Sequence, residues 1–377
     1  MTSDLVVFGE DWGSLPSSTQ HLMRHLNDGR KILWVNSIGL RKPRLSMADC
    51  KRSLQKITSR RISNCCSLPI SEPGFTVLNP TTIPAPSSRL ERFLATKLLQ
   101  NQLLPAIAKA KLRNPILWTS LPTASDLVGK LGERATVYYC GDDFSSLAGV
   151  DHLTVSAREQ ELQEKADLII TASERLAERF PALKTRLLTH GVDYQLFSTP
   201  SPRATDLPAD GKPVAGFYGS ISEWLDMDLL VAVIKRMPHW NFILIGQAVV
   251  DTSALKSLEN VYLAGPRPHH ELPGYSQHWN TSLLPFKNNA QIQACNPLKL
   301  SEYLAAGKPV VSTPFPALKP YQELISIADS IDSMIEAIEN SRRLGENDVF
   351  SGLLRGTVSD KSWQAKAGLV GQWLESI

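Results

Sequence analysis

Asn296, Pro297, Lys299 and Glu302 have the types and spacing of an anion-binding site, inside the stretch Ala294-Cys295-Asn296-Pro297-Leu298-Lys299-Leu300-Ser301-Glu302-Tyr303-Leu304-Ala305-Ala306-Gly307. Asn296 is a good N-cap, and Pro297 suits the first helical position, where its missing N–H is harmless. Gly307 suits the left-handed residue that ends a helix. A helix is expected from about 297 to 306, leading into a buried strand at Val310-Val311-Ser312. Its first N–H groups and positive dipole end favour an anion, and Lys299 adds a full charge in the first turn. Glu302 projects from nearly the same face, one turn deeper. A cation at a helix start with a carboxylate behind it suits a diphosphate followed by a ribose diol. The same spacing also describes a Lys-Glu pair on a solvated helix face. A second constellation is Cys140-Gly141-Asp142-Asp143-Phe144, which places two carboxylates after the apolar run 136–139. That is where α/β proteins put their chemistry, although adjacent aspartates also cap turns.

The elements that must position these groups alternate strand and helix. Apolar runs at 5–8, 31–35, 75–78, 116–118 and 136–139 read as buried strands in the first half, and 214–218, 242–246 and 261–263 in the second. Strands separated by helices imply parallel sheets with functional loops at the strand carboxyl ends. Gly9-Glu10-Asp11-Trp12-Gly13-Ser14 is such a loop, followed by a helix from about 16 to 27; its spacing is not the Gly-x-Gly-x-x-Gly of a dinucleotide fold, so NAD is not indicated. Ser87 or Ser88 is expected to cap a helix running past Leu104, with a kink at Pro105. Thr199 to Gly211, rich in Pro, Ser, Asp and Gly, reads as the linker between two domains. The 377 residues are too many for one ordinary domain and suffice for two cores.

The segment Asn-Pro-Leu-Lys-Leu-Ser-Glu-Tyr-Leu-Ala-Ala-Gly-Lys-Pro-Val-Val-Ser-Thr resembles the donor site of bacterial glycosyltransferases with two Rossmann-like domains. This is the GT-B fold, and the likeness is greatest to family 4 (group 1) enzymes of surface polysaccharide synthesis. Supporting resemblances lie at Ala166-Asp167-Leu168-Ile169-Ile170, at the turn His190-Gly191-Val192-Asp193, where the family commonly has Asn first, and at Gly265-Pro266-Arg267-Pro268-His269-His270-Glu271-Leu272-Pro273. The resemblance covers nearly all of the second domain and less of the first. It implies an α/β architecture of two Rossmann-like domains facing across a cleft: an acceptor domain at 1–200, a nucleotide-sugar donor domain at 201–358, and a final helix at 359–377 crossing back. It further implies transfer of a sugar from a nucleotide diphosphate-sugar to a saccharide or lipid-linked acceptor, without a metal and with no separate cofactor.

By the same resemblance Lys299, Asn296 and Pro297 neutralise the diphosphate, assisted by Arg267 or Lys287. Glu302 holds the ribose, and Gly219 and Ser220 let the first loop of the donor domain approach the phosphates. Asp142 and Asp143 face the acceptor or the transferred sugar, and the loop with Gly9, Trp12 and Gly13 borders the cleft. Two features depart from the family pattern. The first carboxylate of its Glu-x7-Glu pair is replaced by Ala294, and its loop Arg and Lys are replaced by Ser220, Glu223 and Asp226. These departures leave the retaining outcome open and keep a non-catalytic GT-B subunit as the alternative. A GT-B epimerase is disfavoured, because its set of acids and histidines is missing.

A net charge of +3 is too small to imply nucleic acid as a partner. Its distribution is uneven, since 41–61 holds eight cations against Asp49 alone. Such a run is usually a solvated surface, and its sharper reading is contact with anionic lipid headgroups or a lipid-linked diphosphate. The five cysteines form no Cys-x-x-Cys pair, and no stretch has the pattern of a signal peptide or of eighteen apolar residues. A cytoplasmic protein, peripheral at the inner face of the membrane, is the expectation.

Overall fold

The computed structural model describes residues 2–13, 17–27, 29–39, 73–145 and 151–377. The basic run 41–61 and Cys50, Cys65 and Cys66 lie outside the described residues. The chain divides into two compact units, Met1–Leu188 with Ala367–Ile377, and Thr189–Lys366.

In the first unit, β1 (Leu5–Phe8), β2 (Ile32–Val35), β3 (Phe75–Leu78), β4 (Ile116–Thr119), β5 (Ala135–Cys140), β6 (Leu168–Thr171) and β7 (Thr185–Leu187) form one parallel sheet in the order β3-β2-β1-β4-β5-β6-β7. In the second, β8 (Val214–Tyr218), β9 (Asn241–Ile245), β10 (Val261–Gly265), β11 (Thr281–Leu284), β12 (Val310–Ser312) and β13 (Ser326–Ile327) are ordered β10-β9-β8-β11-β12-β13, again all parallel. Central strands such as β1, β2 and β8 are buried along their whole length. Helices cover both faces of such a sheet, which is why these strands read as unbroken apolar runs. The strand order reverses direction between β1 and β4 in one sheet and between β8 and β11 in the other. Loops leaving those strand pairs diverge and open a crevice, the usual ligand position in such sheets.

Several element ends differ from expectation for local reasons. The first helix is Ser18–Leu26, because Ser17 caps it by accepting from the Gln20 N–H. Ser88 caps the long helix Arg89–Ala110 in a capping box with Glu91, and Pro105 lies inside that helix. The boundary expected at 200/201 falls within the second unit, since the chain changes unit between Leu188 and Thr189. Thr199 to Gly211 is tied to that unit: the Ala204 N–H donates to the Gly274 carbonyl at 2.9 Å, and the Ser201 N–H to Gln277 Oε1 at 2.9 Å. The final helix Trp363–Ser376 begins in the second unit, and its residues from Ala367 onward pack with the first.

Candidate functional site

The carboxyl ends of β8 and β11 meet the helix Leu298–Ala306 at the reversal of strand order. Backbone bonds lace the two strand-end loops together: the Asp226 N–H donates to the Pro285 carbonyl and the Lys287 N–H to the Trp224 carbonyl, each at 2.8 Å. The helix is fixed to β8 by Tyr303, whose hydroxyl accepts from the Tyr218 N–H at 3.0 Å. Tyr303 is fully buried, its ring edge-on to Tyr218 at 4.7 Å.

One turn before Tyr303, Lys299 reaches the strand ends. Its Nζ lies 5.6 Å from the ring centres of both Phe217 and Phe286. It also lies against Gly219, where an added Cβ would come within 2.8 Å of Lys299 Cε. Gly219 has φ 137°, a conformation L side chains rarely adopt, so glycine there meets both a backbone and a packing requirement. Although Lys299 retains some solvent exposure, its ammonium is crowded by the two rings. This desolvation lowers its pKa, against the opposing pull of Cys295 and Glu302. A phosphate arriving at this point would meet a cation already stripped of part of its water.

Glu302 lies three residues further along the helix and accepts from or shares a proton with His269 Nε2 at 2.8 Å. His269 leaves the loop after β10 and packs edge-on to Phe197 at 5.3 Å. Burial and the nearby Glu302 charge together keep the Tyr218 phenol well above its ordinary pKa. The carboxylate therefore sits in a defined frame of His269, Tyr218 and the helix, able to accept from a diol. Asn296 and Pro297 precede the helix, but the cap differs from expectation. Pro297, with extended backbone at ψ 125°, is itself the cap residue, so Asn296 stands one position before the cap. Gly307 ends the helix in the left-handed conformation, as expected.

The other donor-side residues separate. Ser220 follows Gly219 and is partly exposed, and Lys287 is exposed just past the end of β11. Arg267 is held elsewhere: its guanidinium donates to Asp206 Oδ2 at 2.7 Å and to the Tyr275 hydroxyl at 2.9 Å. Tyr275 also donates to Asp206 Oδ1 at 2.6 Å. Burial works against ionisation of Asp206, but the bonds from Tyr275 and Arg267 outweigh it and hold the carboxyl below the ordinary aspartate pKa. This triad pins the 199–211 segment to the loop after β10 instead of leaving Arg267 toward Lys299.

In the first unit, the two aspartates have different surroundings. Asp143 accepts from Arg179 at 2.6 Å, and Arg179 also binds Glu159 at 2.6 Å, which in turn accepts from the Tyr138 hydroxyl at 2.7 Å. Asp143 is thus one end of a chain of charges that orders the end of β5. Asp142 is exposed as a residue, while local desolvation of its carboxyl and the Asp143 charge push its pKa up. Of the pair, Asp142 is the better placed to take a proton. The loop after β1 is built as a packed cap. A Cβ on Gly9 would come within 2.5 Å of the Trp34 ring, Trp12 packs on Trp34 and Phe75 at 4.8 and 4.3 Å, and the Gly13 N–H donates to Gln20 Oε1 at 3.3 Å.

His269 is the site residue that sequence reasoning missed. Its position immediately after β10, at a strand carboxyl end, was the available signal; its pairing with Glu302 depends on packing between distant elements.

Residues 212–341 match the family model described as Glycosyl transferases group 1. Over 291 residues the chain is 28% identical to TuaH of Bacillus subtilis strain 168, named for a glycosyltransferase role in teichuronic acid biosynthesis, covering 70% of this chain and 72% of that one. Among solved structures it is similar to Anabaena Alr3699/HepE in complex with UDP-glucose, with TM-score 0.69 and 14% identity over 100% of both chains. It is also similar to sucrose-phosphate synthase from Thermosynechococcus elongatus, with TM-score 0.70 and 17% identity over 99% of this chain and 98% of that one. A third likeness is to an E. coli trehalose-6-phosphate structure bound with UDP-2-fluoro glucose, with TM-score 0.66 and 12% identity over 100% and 99%. The two-sheet fold is therefore GT-B.

Proposed function

We infer that this chain, a GT-B glycosyltransferase whose residues 212–341 form a group 1 domain, moves a sugar from a nucleoside diphosphate-sugar to a saccharide acceptor in surface polysaccharide assembly. The observation that carries the reading is the position of Lys299, wedged against Gly219 between Phe217 and Phe286 at the reversal of strand order.

As the glycosidic bond to the diphosphate breaks, negative charge grows on the leaving oxygen. Lys299 and the first N–H groups of Leu298–Ala306 neutralise it. Because that positive charge comes from the chain itself, the reading assigns no metal or other cofactor. Glu302, oriented by His269, accepts from the ribose hydroxyls. Asp142 acts on the acceptor side, and Asp143, held by Arg179, lies beside it as a second carboxylate whose charge favours protonation of Asp142. UDP is the first nucleotide to test, because the HepE and E. coli relatives were solved with UDP-sugars. A lipid-linked saccharide is the acceptor proposed, with the protein working at the inner face of the membrane. The non-catalytic alternative draws on Ala294, which stands where the family has a carboxylate and is buried.

Calorimetry with UDP, GDP and 2′-deoxy-UDP, followed by UDP release from UDP-sugars with candidate acceptors, separates these readings. Lys299→Met keeps the packing between the rings and removes the charge; it should weaken UDP binding about tenfold or more, the scale of one hydrogen bond to a charged group. Glu302→Ala should narrow the preference for UDP over 2′-deoxy-UDP. Asp142→Asn should lower turnover with little change in UDP affinity. If the Lys299 and Glu302 variants bind like the parent, the donor site is misplaced. If the parent binds UDP but turns over no sugar with any acceptor, the non-catalytic alternative stands.

A further inference from the structure

A surface helix normally shows water a polar side, and the exposed side of Arg89–Ala110 is instead rich in large apolar residues. The helix turns Ala95, Thr96, Leu99 and Leu103 into the first unit. Its opposite face carries Leu90, Phe93, Leu94, Leu98 and Leu104, which are 67%, 58%, 44%, 43% and 44% exposed. Leu90, Phe93, Leu94 and Leu98 recur at three and four residues and Leu104 rejoins the stripe beyond Asn101, so the five line one side of the helix over four turns. Exposed cations lie among and beside them: Lys97 Nζ is 5.9 Å over the Phe93 ring, and Arg89 and Lys109 are exposed near the helix ends. Glu91, the only carboxylate in the helix, turns back to accept from the Ser87 and Ser88 N–H groups at 2.9 and 3.0 Å. Arg92 points the other way, onto Asp126 and Glu161.

We propose that the outer face of Arg89–Ala110 docks the first unit on an anionic lipid surface. Charge complementarity selects this occupant. Large apolar side chains interleaved with cations, and no acid among them, match acyl chains beneath phosphate headgroups. The inference deepens the membrane-side placement proposed above and uses no donor-site residue.

The test is co-sedimentation of the full chain with vesicles of phosphatidylcholine alone or with about one third phosphatidylglycerol, the anionic lipid whose charge the face should read. The parent should bind the anionic vesicles and not the neutral ones. Leu90→Ser, Phe93→Ser and Leu98→Ser combined should reduce binding roughly tenfold or more, given the free energy of burying each apolar side chain. The thermal transition of the first unit, read by calorimetry on the same samples, should be unchanged and shows that the variant is folded; unchanged UDP affinity separates failure of the docking surface from failure of the donor site. A parent that ignores both vesicles overturns the proposal. So does a triple variant that binds like the parent, or a parental dimer in light scattering that the same substitutions abolish, which would make a second copy the occupant.

Discussion

His190 shows how one side chain can set a pH limit on this molecule. Its ring lies 6.5 Å from that of Trp363, and burial together with the Lys366 charge pushes its pKa down to about 4. The ordinary value is about 6.5, so as pH falls the unfolded chain takes up this proton first and the folded state loses stability. The loss starts near pH 6.5 and is complete below about pH 4, amounting to at most about 3 kcal/mol at roughly 1.4 kcal/mol per pH unit, because the residue keeps some contact with solvent. His190→Asn, which restores the residue common in the related turn, should flatten the fall in melting temperature between pH 6.5 and 4.5. Calorimetric scans of both proteins that run parallel over that interval would show that His190 is not responsible. At this scale the sequence was a partial guide. That Lys299 and Glu302 stand one turn apart on a single helix was legible, because the helical period fixes their spacing. Arg267 was not, because a basic side chain beside a strand end reads the same whether it faces a phosphate or, as here, Asp206 and Tyr275. His269 was passed over for the converse reason: its partner Glu302 is on another element, 33 residues away in sequence.

The donor-side loops depend on glycines that let strand ends touch. Gly246, just after β9, has φ 146°, and a Cβ there would come within 1.9 Å of the Gly219 carbonyl oxygen. Backbone oxygen cannot swing aside as a long side chain can, so the turn bearing Gly219 would have to shift and carry the Lys299 contact with it. Gly246→Ala should therefore weaken UDP binding about tenfold and lower stability by roughly 1 to 3 kcal/mol, the cost of a non-glycine residue held in such a conformation. Gly211→Ala is the control: it also has positive φ, at 84°, but nothing lies within 4 Å of an added Cβ. It should lower stability without changing UDP affinity, and equal losses of affinity in both variants would refute the argument from contact. Element by element, central strands were the most readable. β1 and β8 coincide with their apolar runs because burial on both faces leaves no polar alternation to blur the ends. The edge strands Thr185–Leu187 and Ser326–Ile327 carry no such run. The start of Leu298–Ala306 was misjudged by one residue because Pro297 is equally compatible with the cap and with the first helical position.

For the whole chain, the division into units was the least legible feature. Thr199 to Gly211 has the composition of a linker, yet side-chain bonds from Gln277 and the Asp206 triad hold it to the second unit. The actual changes of unit fall at Leu188 and Thr189, and between Lys366 and Ala367 within a continuous helix. Gly368 stands beside the second change, but a glycine inside an otherwise helical pattern does not mark a boundary between units. The last segment of that helix still has a large structural role. Ala367, Val370 and Leu374 are buried, Arg30 reaches Glu375 at 3.3 Å, and Arg134 donates to the Leu374 carbonyl at 2.9 Å. Burying Val370 and Leu374 contributes about 3 to 6 kcal/mol, comparable with the total stability of an average domain, and the buried Arg30 guanidinium would also lose a carboxylate partner. A chain ending at Lys366 should therefore lose the thermal transition of the first unit while the second, with its own core from Val192 to Val358, still melts cooperatively and binds UDP. Differential scanning calorimetry with and without UDP reads both outcomes on one sample. If the shortened chain keeps two transitions, Ala367–Ile377 is dispensable to the first unit; if UDP no longer shifts the remaining transition, the donor site requires more than the unit containing Lys299 and Glu302.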